Sequence, residues 1–334
     1  MLRYCSILLF VLFSFNYIIA KELKILQLNI WQETTIVNNG FNGLADDINN
    51  INPDIILLCE IRNYNNELFI DKLVNKLKSI GLNYKGVSGL DVGILSKYDI
   101  ERSETISKGR GIKGIINVEN KKVAVYSLHL DYTHYACYLP RGYNGVTWER
   151  MNTPITCSKK IEKANKESNR PNEIKEIIRD AYQENDCCIF IGGDFNEPSH
   201  LDWREDTKSL WEHNGAVVNW DCSILLYEAG FKDSYREKFP NPKTHPGFTY
   251  PANNRDVSVD KLDWVPETDG RDRIDFIYYK PYEGLSLKDI YIVGPKGSIV
   301  YNKRIDKEEG SDVLILPKST WCTDHRGVLG IFDI

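Results

Sequence analysis

An apolar run, Cys188-Ile189-Phe190-Ile191, leads directly into Gly192-Gly193-Asp194-Phe195-Asn196. The run reads as a buried strand. Two glycines after it let the backbone turn or let a ligand come close. Asp194 and Asn196 stand two residues apart, so in extended chain both side chains face one way. One offers an anionic oxygen, the other an amide that donates or accepts. Such a pair at the end of a sheet suits a water, a metal or a phosphate. Taken alone, it equally suits a capped tight turn.

The same pattern of apolar strand and polar end recurs. Residues 23–30 alternate and finish at Asn29-Ile30-Trp31, and residues 54–60 form an apolar run finishing in Glu60. Further strands are expected at 92–95, 114–118, 123–130, 274–279, 290–293 and 328–332, with helices at 44–51, 67–80 and 173–182. Alternating helices and strands, interrupted by hairpin-like strand pairs, point to mixed sheets covered by helices. Residues 87–114 and 131–170 read as long irregular regions. The second is rich in aromatic and turn residues, which argues for a functional loop over a disordered one.

Residues 6–19 form an almost unbroken apolar stretch behind Arg3, followed by the small Ala20. Residues 1–20 read as a signal peptide, and by length alone the mature chain, 21–334, could be one domain or two. The stretch is short for a membrane span, which takes about 20 apolar residues, so no stable membrane insertion is expected after cleavage. The product is expected to be secreted, or periplasmic or lumenal according to its source. The chain has 42 Lys+Arg against 47 Asp+Glu, a net charge of −5, and lacks the basic stripe of a tight nucleic-acid binder. The cluster from Lys159 to Lys166 reads as a solvated helix face. Eight cysteines, with Cys5 in the leader, leave an odd number; Cys137 and Cys157 flank the second irregular region and are candidates to staple it. Oligomeric state is not written in the sequence.

A lone acid in an apolar strand needs a partner. For Asp275, within Arg273-Ile274-Asp275-Phe276-Ile277, the candidate is His325, in Thr323-Asp324-His325. Together with Leu28-Asn29-Ile30-Trp31, Leu58-Cys59-Glu60, Ser127-Leu128-His129-Leu130 and the Gly192–Asn196 stretch, these motifs span nearly the whole mature chain. In this order they resemble the endonuclease/exonuclease/phosphatase superfamily, the deoxyribonuclease I-like fold. Thr323 stands where many members have serine. The resemblance implies a single catalytic domain over 21–334, an α/β (α+β) four-layer sandwich with two packed mixed β-sheets flanked by helices.

It further implies hydrolysis of a phosphate ester with a divalent metal, Mg²⁺ or another cation such as Mn²⁺ or Ca²⁺. Metal candidates are Glu60, Asn29 and, through a water, Asp324. His325 paired with Asp275, and Asp194 beside them, are the candidates for activating water; which of Asp194 and His325 is the base stays open. Asn196 would stabilise a phosphoryl oxygen, and His129 would face the phosphate or the leaving oxygen. His134, Tyr135, Arg141 and His200 are candidate substrate contacts, and His213 reads as a surface residue. A secreted phosphodiesterase is the expected function. The alternatives are a secreted DNA or RNA endonuclease, a sphingomyelinase-type phospholipase and a catalytically inactive binding protein on the same fold. Nucleic acid is thus one possible phosphate-ester substrate.

Overall fold

Strand alternation sorts the interior of this protein into layers. The computed structural model describes residues 21–334; the leader expected at 1–20 lies outside the described residues. One sheet has seven strands, ordered β14 (Leu314–Ile315), β11 (Ser286–Val293), β15 (Gly327–Asp333), β1 (Glu22–Asn29), β2 (Ile55–Cys59), β4 (Val92–Ser96) and β3 (Lys85–Ser88). The other has six, ordered β5 (Asp99–Ile106), β6 (Gly111–Val118), β7 (Lys121–His129), β8 (Cys188–Asp194), β10 (Asp275–Tyr279) and β9 (Lys232–Asp233). β12 (Ser298–Val300) and β13 (Lys303–Ile305) pair separately. Both large sheets are mixed: β1 runs parallel to β2 but antiparallel to β15, and β8 runs parallel to β7 but antiparallel to β10.

Three apolar clusters define four layers. Leu23, Ile25, Ile55 and Leu57 of the first sheet meet Val123, Val125, Phe190 and Ile277 of the second in a common core. The opposite face of the first sheet, with Leu26, Leu28, Ile56 and Leu58, is covered by α1 (Gly40–Ile51) and α2 (Phe69–Ser79). The outer face of the second, with Tyr126, Leu128, Ile191 and Phe276, is covered by α4 (Arg170–Ala181) and α5 (Asp221–Glu228). This is the helix–sheet–sheet–helix sandwich expected from the sequence. No described helix is long and apolar enough to cross a membrane.

The inner faces change character along their length. Leu23 and Ile25 give way to Gln27 and Asn29 on β1, and Val123 and Val125 to Ser127 and His129 on β7. Cys188 and Phe190 give way to Gly192 and Asp194 on β8, while Ile277 and Tyr279 of β10 are preceded by Asp275. With a side-chain period of two, each polar residue inherits the inward face from its apolar neighbours. One end of the sandwich interior is therefore polar.

Gly192 and Gly193 lie within β8, not in a turn. They are required by close approach: a Cβ on Gly192 would stand 2.7 Å from Leu57 Cδ1 of the facing sheet, and one on Gly193 would stand 2.1 Å from the Leu128 carbonyl oxygen. The chain turns later, at Asn196, with φ 50°.

The structure departs from the sequence reading in several places. The span 87–114 is not irregular, because it contains β4, β5 and the start of β6. β5 is a mostly exposed edge strand rich in charged residues, so it has no apolar alternation to read, and charge is a usual protection for an edge. The region 131–170 folds into a satellite core, in which Tyr135, Tyr138, Tyr143 and Ile161 pack on Trp203 and Trp220. Its basic cluster does lie on a helix, α3 (Ser158–Asn165), with the lysines largely exposed. Cys137 is buried, Cys157 exposed, and both are free thiols. His213 is buried, stacked on Trp203 at 3.7 Å between ring centroids. The last helix, α6 (Ser234–Lys238), begins at Asp233, whose carboxylate accepts from the Tyr235 and Arg236 backbone N–H groups.

Gly193→Ala is expected to lower stability by about 1–3 kcal/mol, because its methyl overpacks against backbone that cannot swing aside. An unchanged urea midpoint would contradict this close-approach account.

Candidate active site

Strand register builds the first half of the site. His129 of β7 is the cross-strand partner of Asp194 on β8, and Asp194 is the partner of Asp275 on β10. Directly paired residues share a face, so the three side chains form one row facing the other sheet. Asp194 and Asp275 are essentially inaccessible to solvent. Each needs donors, and each has them. Asp275 Oδ1 accepts from Gln27 Nε2 at 2.9 Å, and Oδ2 lies 2.8 Å from His325 Nδ1. Asp194 Oδ1 accepts from the Asn196 backbone N–H at 2.8 Å, and Oδ2 accepts from Asn29 Nδ2 at 3.0 Å.

The two histidines are held alike. His129 Nδ1 lies 2.6 Å from Asp91 Oδ2, just as His325 Nδ1 lies against Asp275. A carboxylate at each Nδ1 assigns a proton there. Both Nε2 atoms point back toward one oxygen, Asp194 Oδ2, at 3.9 Å from His129 and 3.8 Å from His325. These distances exceed a hydrogen bond; His325 Nε2 also lies 3.4 Å from Asn29 Nδ2, itself a donor, so a protonated Nε2 on either ring is free to donate to an oxygen set among them.

Glu60 and Asn29 form the other side. Cys59 points into the common core, so strict alternation would send Glu60 outward. Its left-handed backbone, φ 67°, breaks the alternation, and the carboxylate reaches Asn29 Nδ2 at 3.1 Å and the Gln32 backbone N–H at 2.9 Å. Trp31, Gln32, Glu33 and Thr34 are all left-handed as well. Their turn is tied down where Trp31 N–H donates to Asn29 Oδ1, Glu33 N–H to the Glu60 carbonyl and Thr34 N–H to the Ile30 carbonyl. Arg62 bridges Glu60 and Asp91, joining the Glu60 side to the His129 side.

The loop before β15 supplies Asp324 and His325. Thr323 fills the serine-like place suggested by the sequence: its hydroxyl accepts from the His325 N–H at 3.2 Å and lies 3.3 Å from Asp324 Oδ1. Burial and the Glu60 charge drive the Asp324 carboxyl up to about 7, although His325 opposes the shift. Burial, with Asp275 beside it, drives Asp194 up to about 6 against the pull of both histidines. Burial disfavours the charged form of His325, but Asp275, Asp194 and Asp324 outweigh it and carry the imidazole up to about 10. His129 is also raised, with the Asp91 hydrogen bond and charge overcoming burial.

These groups line a cavity of about 200 Å³. Glu60, His129, Asp194, Asn196, Asp324 and His325 all open onto it, as does Tyr135. Asp275 and Asn29 stand behind that wall and hold the groups that face it. Of the four substrate contacts expected from sequence, only Tyr135 lines this cavity; its hydroxyl donates to Asn196 Oδ1. Arg141 is spent on Asp272 at 2.8 Å and on the Arg271 carbonyl. His134 bonds its neighbour Thr133, and its carbonyl accepts from Arg170. His200 bonds Ser223, over 20 residues away in sequence. Sequence reading missed Asp91, Gln27, Tyr250 and Trp264. Asp91 alone had a signal, an acid immediately before an apolar strand.

The acidic side suits a divalent cation. Burial and the Glu60 charge raise the cost of ionising Asp324, and a cation between the two carboxylates would remove that cost. Asp194, Asp275 and His325 also bring a ligand-type atom each within 4.8 Å of one another, but there the Asp275–His325 hydrogen bond already uses two of the three groups.

Residues 26–325 match the Endonuclease/Exonuclease/phosphatase family. The chain belongs to that family. Members of the endonuclease/exonuclease/phosphatase family are phosphoric ester hydrolases that generally use divalent metals. A Caenorhabditis elegans relative, the uncharacterized protein F14F9.5, is 29% identical over 287 residues, covering 82% of this chain and 85% of that protein. Among solved structures of the fold, zebrafish (D. rerio) TDP2 complexed with single strand DNA product matches at a TM-score of 0.53 and 14% identity, over 94% of this chain and 99% of that one. The human Nocturnin catalytic domain with bound sulfate matches at 0.52 and 12%, over 93% and 94%. A Leptotrichia buccalis family protein matches at 0.53 and 17%, over 93% and 100%.

Asp91→Asn is expected to lower the pKa of His129, because the carboxylate that favours its imidazolium is gone while burial remains. Histidine NMR titration reads this directly, and an unmoved or raised value would refute the pairing.

Proposed function

We propose that the protein is an exported, divalent-metal-dependent phosphodiesterase in which water attacks phosphorus. The observation that carries the reading is the convergence of the Asn29 amide and two carboxylate-backed imidazoles on one oxygen of Asp194. An oxygen-rich guest in that space would meet a base on one side and N–H donors on the others. The apolar stretch at residues 6–19 supports export.

Glu60 and Asp324 would hold the cation, with Mg²⁺ the first candidate and Mn²⁺ or Ca²⁺ next. When bound, it supplies neutralisation of charge on the phosphoryl and leaving oxygens. Asn29 turns its amide nitrogen, not its oxygen, to Glu60, so its role is to orient that carboxylate. Asp194 takes the proton of the attacking water, and its raised pKa makes it a better base than an ordinary aspartate. His325, imidazolium at neutral pH, donates through Nε2 to a phosphoryl oxygen, with Asp275 fixing the ring. His129 is oriented in the same way by Asp91 and serves the leaving oxygen. The Asn196 amide donates one N–H to the Leu130 carbonyl at 3.0 Å, which leaves its second N–H for phosphate.

A nuclease is the second reading, supported by the single strand DNA product bound to the zebrafish TDP2 structure. The charge of this cavity weighs against a long polyanion. Arg62 is the only Lys or Arg among its lining residues, and it is already paired with Glu60 and Asp91.

Cleavage of bis(p-nitrophenyl) phosphate is expected to stop with chelator and return with Mg²⁺. No turnover by folded protein in any divalent metal would sink the proposal. Asp194→Asn and His325→Ala are each expected to lose on the order of 10³-fold or more in kcat with native circular dichroism. The rate should fall as pH drops through about 6, where Asp194 gains a proton, and as pH rises through about 10, where His325 loses one. Asp275→Asn should move the alkaline limb to lower pH, since it removes a charge that raises His325. A limb that stays in place would contradict the assigned roles.

A further inference from the structure

Beyond the phosphate-binding end, the cavity wall is aromatic. Tyr135, Tyr138, Tyr250 and Trp264 line it. The wall abuts the catalytic groups directly, because the Tyr250 ring lies 5.1 Å from that of His325 and the Tyr135 hydroxyl bonds Asn196. Trp264 stacks on Trp148 at 5.4 Å with an interplanar angle of 13°, and faces Tyr135 at 6.4 Å. It is nonetheless 53% exposed, so much of the indole remains open to a guest.

A buried carboxylate stands beside this wall. Asp263 is 8% exposed, and its Oδ2 has no hydrogen-bond partner; Oδ1 accepts only from the Val265 N–H at 3.1 Å. The cavity is lined next to it by Gly270, where a Cβ would come within 2.9 Å of Asp263 Oδ1 and 3.1 Å of the Tyr138 hydroxyl. The absence of a side chain at Gly270 is what keeps the carboxylate close to the cavity. Burial pushes this carboxyl up to about 7, which is the cost of an acid lacking a full complement of partners. The cationic side chains nearby are committed elsewhere: Arg141 to Asp272, and Arg62 to Glu60 and Asp91.

Aromatic faces with an unsatisfied carboxylate behind them attract an organic cation, whose charge meets the ring quadrupoles and whose methyl groups are desolvated cheaply. A nucleobase would stack on the rings and offer the carboxylate at most an N–H, bringing no positive charge to offset the burial of the acid. We infer that this wall receives a quaternary ammonium group, so that the substrate is a phosphodiester with an alkylammonium on one arm. The substrate assignment rests on the phosphodiesterase reading above; the binding of the cation does not.

The test is calorimetric titration of the Mg²⁺-loaded protein with three phosphomonoesters: phosphocholine, its uncharged isostere 3,3-dimethylbutyl phosphate, and thymidine 5′-monophosphate. Phosphocholine is expected to bind about tenfold more tightly than either of the others. Asp263→Asn, which keeps an acceptor for Val265, and Trp264→Leu, at an exposed position, should each bring phosphocholine close to the isostere. Equal affinity for phosphocholine and the isostere, including no measurable binding of either, overturns the inference, as does tighter binding of the nucleotide. Turnover of bis(p-nitrophenyl) phosphate, measured in parallel, reports on the phosphodiesterase proposal alone. A protein that cleaves this diester yet fails to discriminate the two alkyl phosphates has lost only the cation subsite.

Discussion

A carboxylate taken out of water must be met by donors or by positive charge, and this sandwich buries several at one end of its interior. Asp194 and Asp275 lie side by side in register across β8 and β10, close enough that Asp275 makes ionisation of Asp194 more costly. Their neighbours follow from that pairing. Gln27 and His325 serve Asp275, while Asn29 and the Asn196 backbone serve Asp194. The donors come from β1, from the loop before β15 and from the turn after β8, so the site forms only when both sheets have closed on each other. Burying the acids together also gives the site its chemistry: burial, with Asp275 alongside, raises Asp194 toward the range of a useful base, and the negative charges of Asp275, Asp194 and Asp324 keep the His325 imidazole charged.

Two backbone devices refine what alternation begins. Alternation accounts for the row His129, Asp194 and Asp275, since each continues an inward apolar series. It does not account for Glu60 or the four residues from Trp31 to Thr34, which adopt left-handed backbone. A non-glycine residue in that region costs about 1–2 kcal/mol, and such a cluster persists only where the surroundings over-determine it. Here Asn29 and the Glu60 carboxylate and carbonyl collect the turn's N–H groups. The strain and the orientation of Glu60 thus belong to one arrangement.

The strand ends were legible in the sequence because a buried strand declares itself by composition, and a polar residue at its end is then conspicuous. Asn29, Glu60, His129, Asp194, Asp275 and His325 emerge in that way, and so does the layered fold. The partners were harder to read. Arg141 has the right chemistry to grip phosphate, but its guanidinium meets Asp272, 131 residues on, and no local pattern records such a pairing. Gln27 sits in a strand and looks like an ordinary interruption of alternation. Edge strand β5 buries too little, and α6, at five residues, is too short, to leave a periodic signature. The aromatic richness of residues 131–170 was visible, whereas its division into a packed core and an open cavity wall depends on Trp203, Trp220 and Trp264 from elsewhere in the chain.

Two acidic groupings compete for the cation: Glu60 with Asp324, and Asp194 with Asp275 and His325. Crystals grown with Mn²⁺ and inorganic phosphate, with anomalous scattering to locate the metal, separate them. Manganese in contact with the Glu60 and Asp324 carboxylates is the predicted result, with phosphate within hydrogen-bonding reach of Asn196 and His325. Manganese seated between Asp194 and Asp275, or phosphate bound away from the two imidazoles, would contradict the account.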